Sequence, residues 1–246
     1  MDTDRVSATA TSLEILESLR RQGSAGVTAI AEDIGGSKAN VHKHLATLED
    51  ARFVRSTDGQ YELGHRFLGF AVAGKQREPV YIEGLNNLAK LADVTGATAI
   101  LVVREGLEAV YLHTVTPVGR VGTDPLEGRR GPLTEIPGGL AILSCYSPEQ
   151  RRSLVEEAVG ETDRVEPILD RLRTAAQESV LVERAEPAGR PEEIVAPVTG
   201  PDGDPAGAVG LEQPTTSDES ERVEADLRKL VRNTAGTISN RLSLTQ

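Results

Sequence analysis

The sequence predicts a two-domain α+β chain, and three observations carry that prediction. Residues 28–63 spell out a short helix, a Gly-Gly turn, a second helix and a tight hairpin. Beyond residue 97, short apolar runs joined by turn residues alternate with helical segments, the pattern of an antiparallel sheet packed with helices. Charge is split just as unevenly. Residues 1–77 hold ten Lys and Arg and ten Asp and Glu, whereas the whole chain of 246 residues holds 27 and 38, so the entire net charge of −11 falls on the remainder. This length suits two domains, since one hydrophobic core seldom grows past roughly 200 residues. The expected division is a first domain over 1–64, a connecting helix over 65–78 and a second domain over 79–246.

In the first domain a helix from Ser12 to Gly23 would turn Leu13, Ile15, Leu16 and Leu19 inward. Thr28 would cap the next helix, whose Ile30, Ala31 and Ile34 share a face, and Gly35-Gly36 would end it by allowing positive φ. Ser37 would then cap a second helix by accepting the backbone N–H of Asn40, with Val41, Leu45 and Leu48 repeating as its buried stripe. That stripe aims Lys38, Ala39, Asn40, His42 and Lys43 outward, a set of hydrogen-bonding side chains and one small methyl suited to base edges and phosphates. Phe53-Val54-Arg55 and Tyr61-Glu62-Leu63 flank Asp58-Gly59, a dipeptide that favours a type I′ hairpin turn. The assembly is a winged helix-turn-helix, which reads double-stranded DNA. Its candidate contacts are Thr28, Ser37, Lys38, Ala39, Asn40, His42, Lys43 and Arg55, with Gln60 also near the phosphates; His44, between the two faces, reads as structural. The competing readings are an ordinary small helical domain and a winged module that binds a protein partner.

Only five of the 27 basic residues are lysine, there is no Trp, and large hydrophobes give way to Ala, Val, Gly and Thr. This composition suggests adaptation to a high-salt cytoplasm, as in a halophilic archaeon, with an acidic protein from a GC-rich bacterial genome as the alternative. Molar salt would remove most of the counterion-release contribution to DNA affinity, leaving base contacts and shape to supply more of it. Cys145 is the single cysteine, so an intrachain disulfide and a cysteine-rich zinc site are both excluded. With no signal-peptide pattern at the start and no apolar run long enough for a membrane span, the expectation is a cytoplasmic protein with no membrane partner.

His65 to Gln76 reads as a helix that is apolar almost all round and would pair with the same helix of a second subunit, giving a dimer suited to a palindromic operator. Val80 to Thr95 follows as an amphipathic helix on Ile82, Leu85, Leu88, Ala89 and Leu91. Strands are expected at Thr98–Arg104 and Glu108–Val115, then a Gly- and Pro-rich loop over 116–136, long enough to be functional. Helices are expected at Gly138–Cys145, Pro148–Val159 and Asp163–Gln177, strands at Val180–Glu183, Ile194–Thr199 and Ala206–Glu212, and a last helix from about Ser217 to Leu244. Helices would cover the antiparallel sheet on one side.

From about Thr9 to Arg241 the chain resembles the IclR family of ligand-responsive transcriptional regulators. The segments GGSKANVHKHLATLEDARFVRSTDGQYELGHRFLGF, EGRRGPLTEIPGGLAILS and EEIVAPVTGPDGDPAGAVGLEQP carry the resemblance, in their order and spacing. It implies a C-terminal α/β effector-binding domain related to GAF and profilin-like folds, homodimers that can pair into tetramers, and a small-molecule pocket controlling operator binding. The pocket residues it implies are Thr123 on the loop, Pro137, Gly138 and Gly139 at a helix N-terminus suited to an anion, and Glu183, Glu193, Gly210 and Glu212 on the facing strands. Two positions depart from the family: Thr134 stands where His is frequent, and Leu140 where Lys is. The resemblance points to an organic acid such as a sugar acid or aromatic acid. Three carboxylates point instead to a cationic or hydroxyl-rich ligand or a divalent ion, unless they are surface charge.

An enzyme is the competing class. Ser144 and Cys145 are its candidate nucleophiles and His113 and the glutamates its candidate bases, yet the sequence holds no GxSxG elbow, P-loop or His-x-x-x-His pair. His42 and His44, two apart on a helix, cannot share a metal. No catalytic residue, metal site or cofactor is expected, although a GAF-like ligand-binding enzyme is the alternative reading.

Overall fold

Helix α1 (Ser7–Gln22) starts five residues before the expected Ser12 and carries Arg20 and Arg21 in its last turn, where cations favour the helix dipole. It packs Ile15 and Leu19 into the core, but Leu13 is exposed, against expectation, because the buried stripe passes through Ser18 instead. A short strand β1 (Ser24–Ala25) leads into α2 (Val27–Asp33). Gly26, and not Thr28, occupies the N-cap of α2, so Thr28 lies inside the helix and caps nothing. Gly35 takes φ 67°, which permits the tight turn into α3 (Lys38–Asp50). The Ser37 side chain accepts the Asn40 N–H at 3.3 Å as expected. Strands β2 (Val54–Thr57) and β3 (Gln60–Leu63) form the hairpin, with Asp58 at φ 52° and Gly59 at φ 77°, both central residues left-handed as a type I′ turn requires. With β1 they make a three-stranded sheet in the order β1-β3-β2.

The computed structural model describes residues 6–117, 126–160, 162–183, 192–213 and 221–244. The chain divides into two units between Arg77 and Glu78. Helix α4 (Arg66–Lys75) belongs to the first. Its Phe67 and Phe70 rings sit 5.1 and 5.5 Å from that of Phe53, and the Arg66 guanidinium lies over the same ring. No residue of α4 is buried, and Leu68, Phe70 and Val72 remain 65%, 59% and 52% exposed.

The second unit is built on a six-stranded antiparallel sheet, β4 (Thr98–Glu105), β5 (Glu108–Val115), β6 (Arg130–Pro132), β7 (Leu181–Glu183), β8 (Glu192–Thr199) and β9 (Pro205–Gln213), in the order β6-β5-β4-β9-β8-β7. Helices cover both faces, not one. Ala99, Leu101 and Val103 of β4 face α5 (Pro79–Thr95) and α9 (Glu221–Leu244), while Ile100 and Val102 face α6 (Pro137–Ser144), α7 (Pro148–Val159) and α8 (Thr162–Glu178). The sequence therefore needs β4 apolar at five successive positions, which a sheet solvated on one side would not.

The buried face of α5 also differs from expectation. It consists of Val80, Gly84, Leu88, Leu91 and Ala92, while Ile82, Leu85 and Ala89 are exposed. Gly84 is the reason: it lies in the seam between α5 and α9, where a Cβ would stand 3.8 Å from both Ile238 and Leu88, and a face defined by large hydrophobes alone overlooks it.

Candidate nucleic-acid interface and effector site

Helix α3 is oriented by its buried side and by one polar tie. Val41 and Leu45 are fully enclosed in the first core, and His44, on the flank, meets the Ser12 hydroxyl of α1 at 2.9 Å through Nδ1. Ser37, Lys38, Ala39, Asn40, His42 and Lys43 are consequently all exposed on the first two turns. The resulting surface offers two cations, an amide that can both donate and accept, an imidazole and a methyl, which is chemistry fit for a major groove. Thr28 is exposed on the second position of α2. On the wing, Arg55 forms an ion pair at 3.0 Å with Glu62, its register partner on the neighbouring strand. Arg21 is likewise engaged, by Asp33 at 2.6 Å.

In the second unit, strand register aligns Glu183, Glu193 and Glu212 in one row across β7, β8 and β9. Period-two alternation puts them on the face that carries Val195 and Gly210, which is the face packed by α6. The Tyr111 hydroxyl, reaching from β5, donates to Glu193 Oε1 at 2.6 Å. Glu193 Oε2 is buried and has no hydrogen-bond partner. Burial, reinforced by the Glu212 and Glu183 carboxylates, pushes the Glu193 carboxyl up to about 7 against the opposing Tyr111 hydrogen bond and Arg129. Burial and the neighbouring Glu193 likewise push the Tyr111 phenol up. Glu183 is held by the Arg171 guanidinium of α8.

Residues 10–58 match the IclR helix-turn-helix domain. Over 248 aligned positions the chain is 25% identical to a protein of Halobacterium salinarum named as a probable HTH-type transcriptional regulator, ArcR, covering 97% of this chain and 94% of that one. The chain therefore carries an IclR-type helix-turn-helix near its start. Its fold is shared with the IclR of Thermotoga maritima, at a TM-score of 0.77 and 20% identity over 97% of this chain and all of that one. It is shared equally with an IclR homolog of Microbacterium hydrocarbonoxydans solved with 4-hydroxybenzoate, at a TM-score of 0.76 and 18% identity over 97% of this chain and 100% of that one.

The expected pocket residues fall into two groups. Glu183, Glu193, Gly210 and Glu212 are brought together on one sheet face. Pro137, Gly138 and Gly139 begin α6 as expected, but both glycines are buried, and they serve close packing. A Cβ on Gly138 would stand 2.7 Å from Val102 Cβ, and one on Gly139 would overlap the Leu133 carbonyl oxygen. Gly210 has the same character, since a Cβ there would overlap the Ile194 carbonyl oxygen. Thr123 lies outside the described residues. Thr134 and Leu140, which replace a common His and Lys, are both buried, Leu140 fully.

Tyr111 is the site residue that sequence reasoning missed. Within the alternating apolar run of β5 it reads as core, and only the pairing of β5 with β4, β4 with β9, and β9 with β8 reveals that its hydroxyl can meet Glu193. A buried phenol's need for a partner was the available signal. The candidate nucleophiles are differently employed. Ser144 donates to the Ala141 carbonyl at 2.6 Å, and burial pushes the Cys145 thiol up, away from the thiolate a nucleophile requires. His113 meets Glu127 at 2.9 Å, with its ring edge-on to Tyr81. Among the described residues no group of three or more His, Cys, Asp or Glu is placed to hold a metal ion.

Proposed function

We propose that this IclR-type regulator binds double-stranded operator DNA through α3 and the wing, and that a small metabolite of a catabolic pathway, held in the second unit, controls that binding. The observation that carries the proposal is the presentation of Lys38, Asn40, His42 and Lys43 outward from a capped helix whose opposite side is locked into a core. Supporting it, the second unit holds a buried carboxylate with an unused acceptor, which a purely structural domain would be expected to replace or pair. The exposed apolar residues of α4 support a homodimer, able to pair into a tetramer, whose two wings meet the two halves of a palindrome.

A DNA partner supports a cytoplasmic location, and no described helix is long and apolar enough to cross a membrane. The acidic second unit, the scarcity of lysine and the Halobacterium relative together support function at high salt and an origin in a halophilic archaeon. The metabolite expected from the family resemblance is a sugar acid or aromatic acid, and the Microbacterium homolog holds an aromatic acid. In this chain the glycines of α6 serve packing, and the facing strands carry three carboxylates.

A gel-shift experiment with the DNA immediately upstream of the protein's own gene tests the regulator reading. A retarded band that survives excess unrelated DNA, and that weakens in Asn40→Ala, is the expected result. Equal affinity for any sequence, or none, overturns it.

A further inference from the structure

Strand β8 outruns the edge strand beside it. Strand β7 pairs with β8 only as far as Val195, opposite Leu181, and β8 continues to Thr199. Around that stretch the two helical layers meet, with α6 and α8 from one and α9 from the other, and they leave a cavity of about 490 Å³. Small residues keep it open. Ala175 and Ala176 of α8 and Ala235 and Gly236 of α9 line it, and a Cβ on Gly236 would meet nothing within 4 Å. A further strand is not its occupant, because Pro197 brings no N–H and the Thr199 N–H is already accepted by Ser239 Oγ at 3.0 Å.

We propose that this cavity binds a small organic carboxylate with an apolar body, its acid group paired with Arg232. The proposal deepens the reading of the second unit as a ligand-sensing domain, rests on it, and gives the ligand a site apart from the glutamate row. Arg232 is the one charged residue among those lining the cavity, and every lining residue is a described one. On the same two helices Arg171, Arg173 and Arg228 each hold a carboxylate, that of Glu183, Asp170 and Glu178 in turn. Arg228, one turn before Arg232, also engages Glu224. Arg232 has no ion pair or hydrogen bond with any described residue, although the chain beyond residue 77 carries the whole net charge of −11. The segments 184–191 and 214–220 attach at Glu183, Glu192 and Gln213, which lie together at the opposite end of β8.

The remaining lining fits the same ligand. The Asn240 amide and the Ser179 hydroxyl, neither bonded to a described residue, add polar groups to walls that are mostly apolar. Small-molecule sites are built in that way, with volumes of about 300–1,000 Å³. One guanidinium matches one carboxylate through two parallel N–H···O bonds. A phosphate or a dicarboxylate would leave charge unmatched, and a cation would find no acid in the lining. A bound ligand would tie α8 to α9 across the sheet edge, so occupancy should raise the melting temperature.

Benzoate, benzyl alcohol and benzylamine, matched in shape and different in charge, test the proposal on the full chain by calorimetry and thermal shift. Benzoate should stabilise the protein and bind at least about 10-fold tighter than either of the others, as expected for a charge-assisted pair. Arg232→Gln, at an exposed position, should weaken benzoate about 10-fold, and Gly236→Leu, which fills the open wall, should abolish its binding. Cys145, the single thiol of the chain, lines the same cavity, so saturating benzoate should slow its alkylation by iodoacetamide in the wild type. Benzylamine binding as tightly as benzoate overturns the proposal, as does benzoate binding that neither variant weakens, or silence with every probe. If Gly236→Leu fails to fold, Arg232→Gln and the alkylation rate decide between the same outcomes. Operator binding is measured separately without probes, so loss of the regulator reading and loss of this site are distinguishable.

Discussion

The Ser12 hydroxyl of α1 and Nδ1 of His44 on α3 meet at 2.9 Å, joining the first helix of the winged domain to the flank of the helix that faces outward. Ser12 also donates to the Ala8 carbonyl, so with its one hydrogen so placed the hydroxyl accepts from His44. Ser12→Ala should cost about 1 kcal/mol in chemical denaturation and weaken operator binding only modestly, because it loosens the aim of α3 without removing a contact. A loss of DNA affinity as large as that of Asn40→Ala would contradict this division of labour.

Asn40 and Lys43 should fail in different ways. Asn40→Ala should lose about 1–3 kcal/mol on the preferred operator and relax discrimination at one base pair. Lys43→Ala should weaken all sequences nearly alike and lower the slope of log affinity against log salt by about 1. Titrations on the operator and on a scrambled site at several salt concentrations separate the two.

Glu193 gives the protein a pH-dependent stability whose sign is opposite to that of a salt-bridged carboxylate. The folded carboxyl titrates at about 7 and the unfolded one near 4.5, so the folded chain holds the extra proton between those values. The stabilisation is complete below about pH 4.5 and is lost as pH rises through about 7. Glu193→Gln, which stays neutral, should gain on the wild type by up to about 3 kcal/mol at pH 8 and show little difference near pH 4.5. Urea denaturation of both proteins across that range checks it; a gap independent of pH would contradict it.

Helix α4 should hold the subunits together. Leu68→Glu combined with Val72→Glu places two charges on its exposed apolar residues while sparing the Phe53 contacts. Light scattering should report a monomer, and binding to a palindromic operator should drop toward that of a half-site. A dimer that persists in this variant would move the interface elsewhere.

Gly138 should be intolerant of a methyl group. The Cβ of Gly138→Ala would meet Val102 at 2.7 Å, and such overpacking costs about 1–3 kcal/mol. Adding Val102→Ala should recover part of that loss. If Gly138→Ala alone leaves the melting temperature unchanged, α6 packs more loosely on Val102 than a 2.7 Å approach requires.

The local elements were legible in the sequence where short-range chemistry decides them. Ser37, Gly35-Gly36 and Asp58-Gly59 announce a cap, a turn and a hairpin, and each occupies its expected place. Thr28 misled because a good capping side chain is only a preference: with Gly26 able to start the helix two residues earlier, the threonine was left inside. The face of α5 and the second covered side of the sheet were hidden for a different reason. Both depend on which helix arrives from a distant part of the chain, and Gly84 is buried only once Ile238 of α9 packs beside it. In the same way the row of glutamates could be suspected from resemblance, but the bond from Tyr111 could not, since 82 residues and two intervening strands separate the partners.

Strand β4 interleaves two sets of side chains, Ala99, Leu101 and Val103 toward α5 and α9, Ile100 and Val102 toward α6. All five side chains are buried, so one strand ties two helical layers together, and a substitution at any of these positions is felt by one layer while its neighbours in sequence answer to the other.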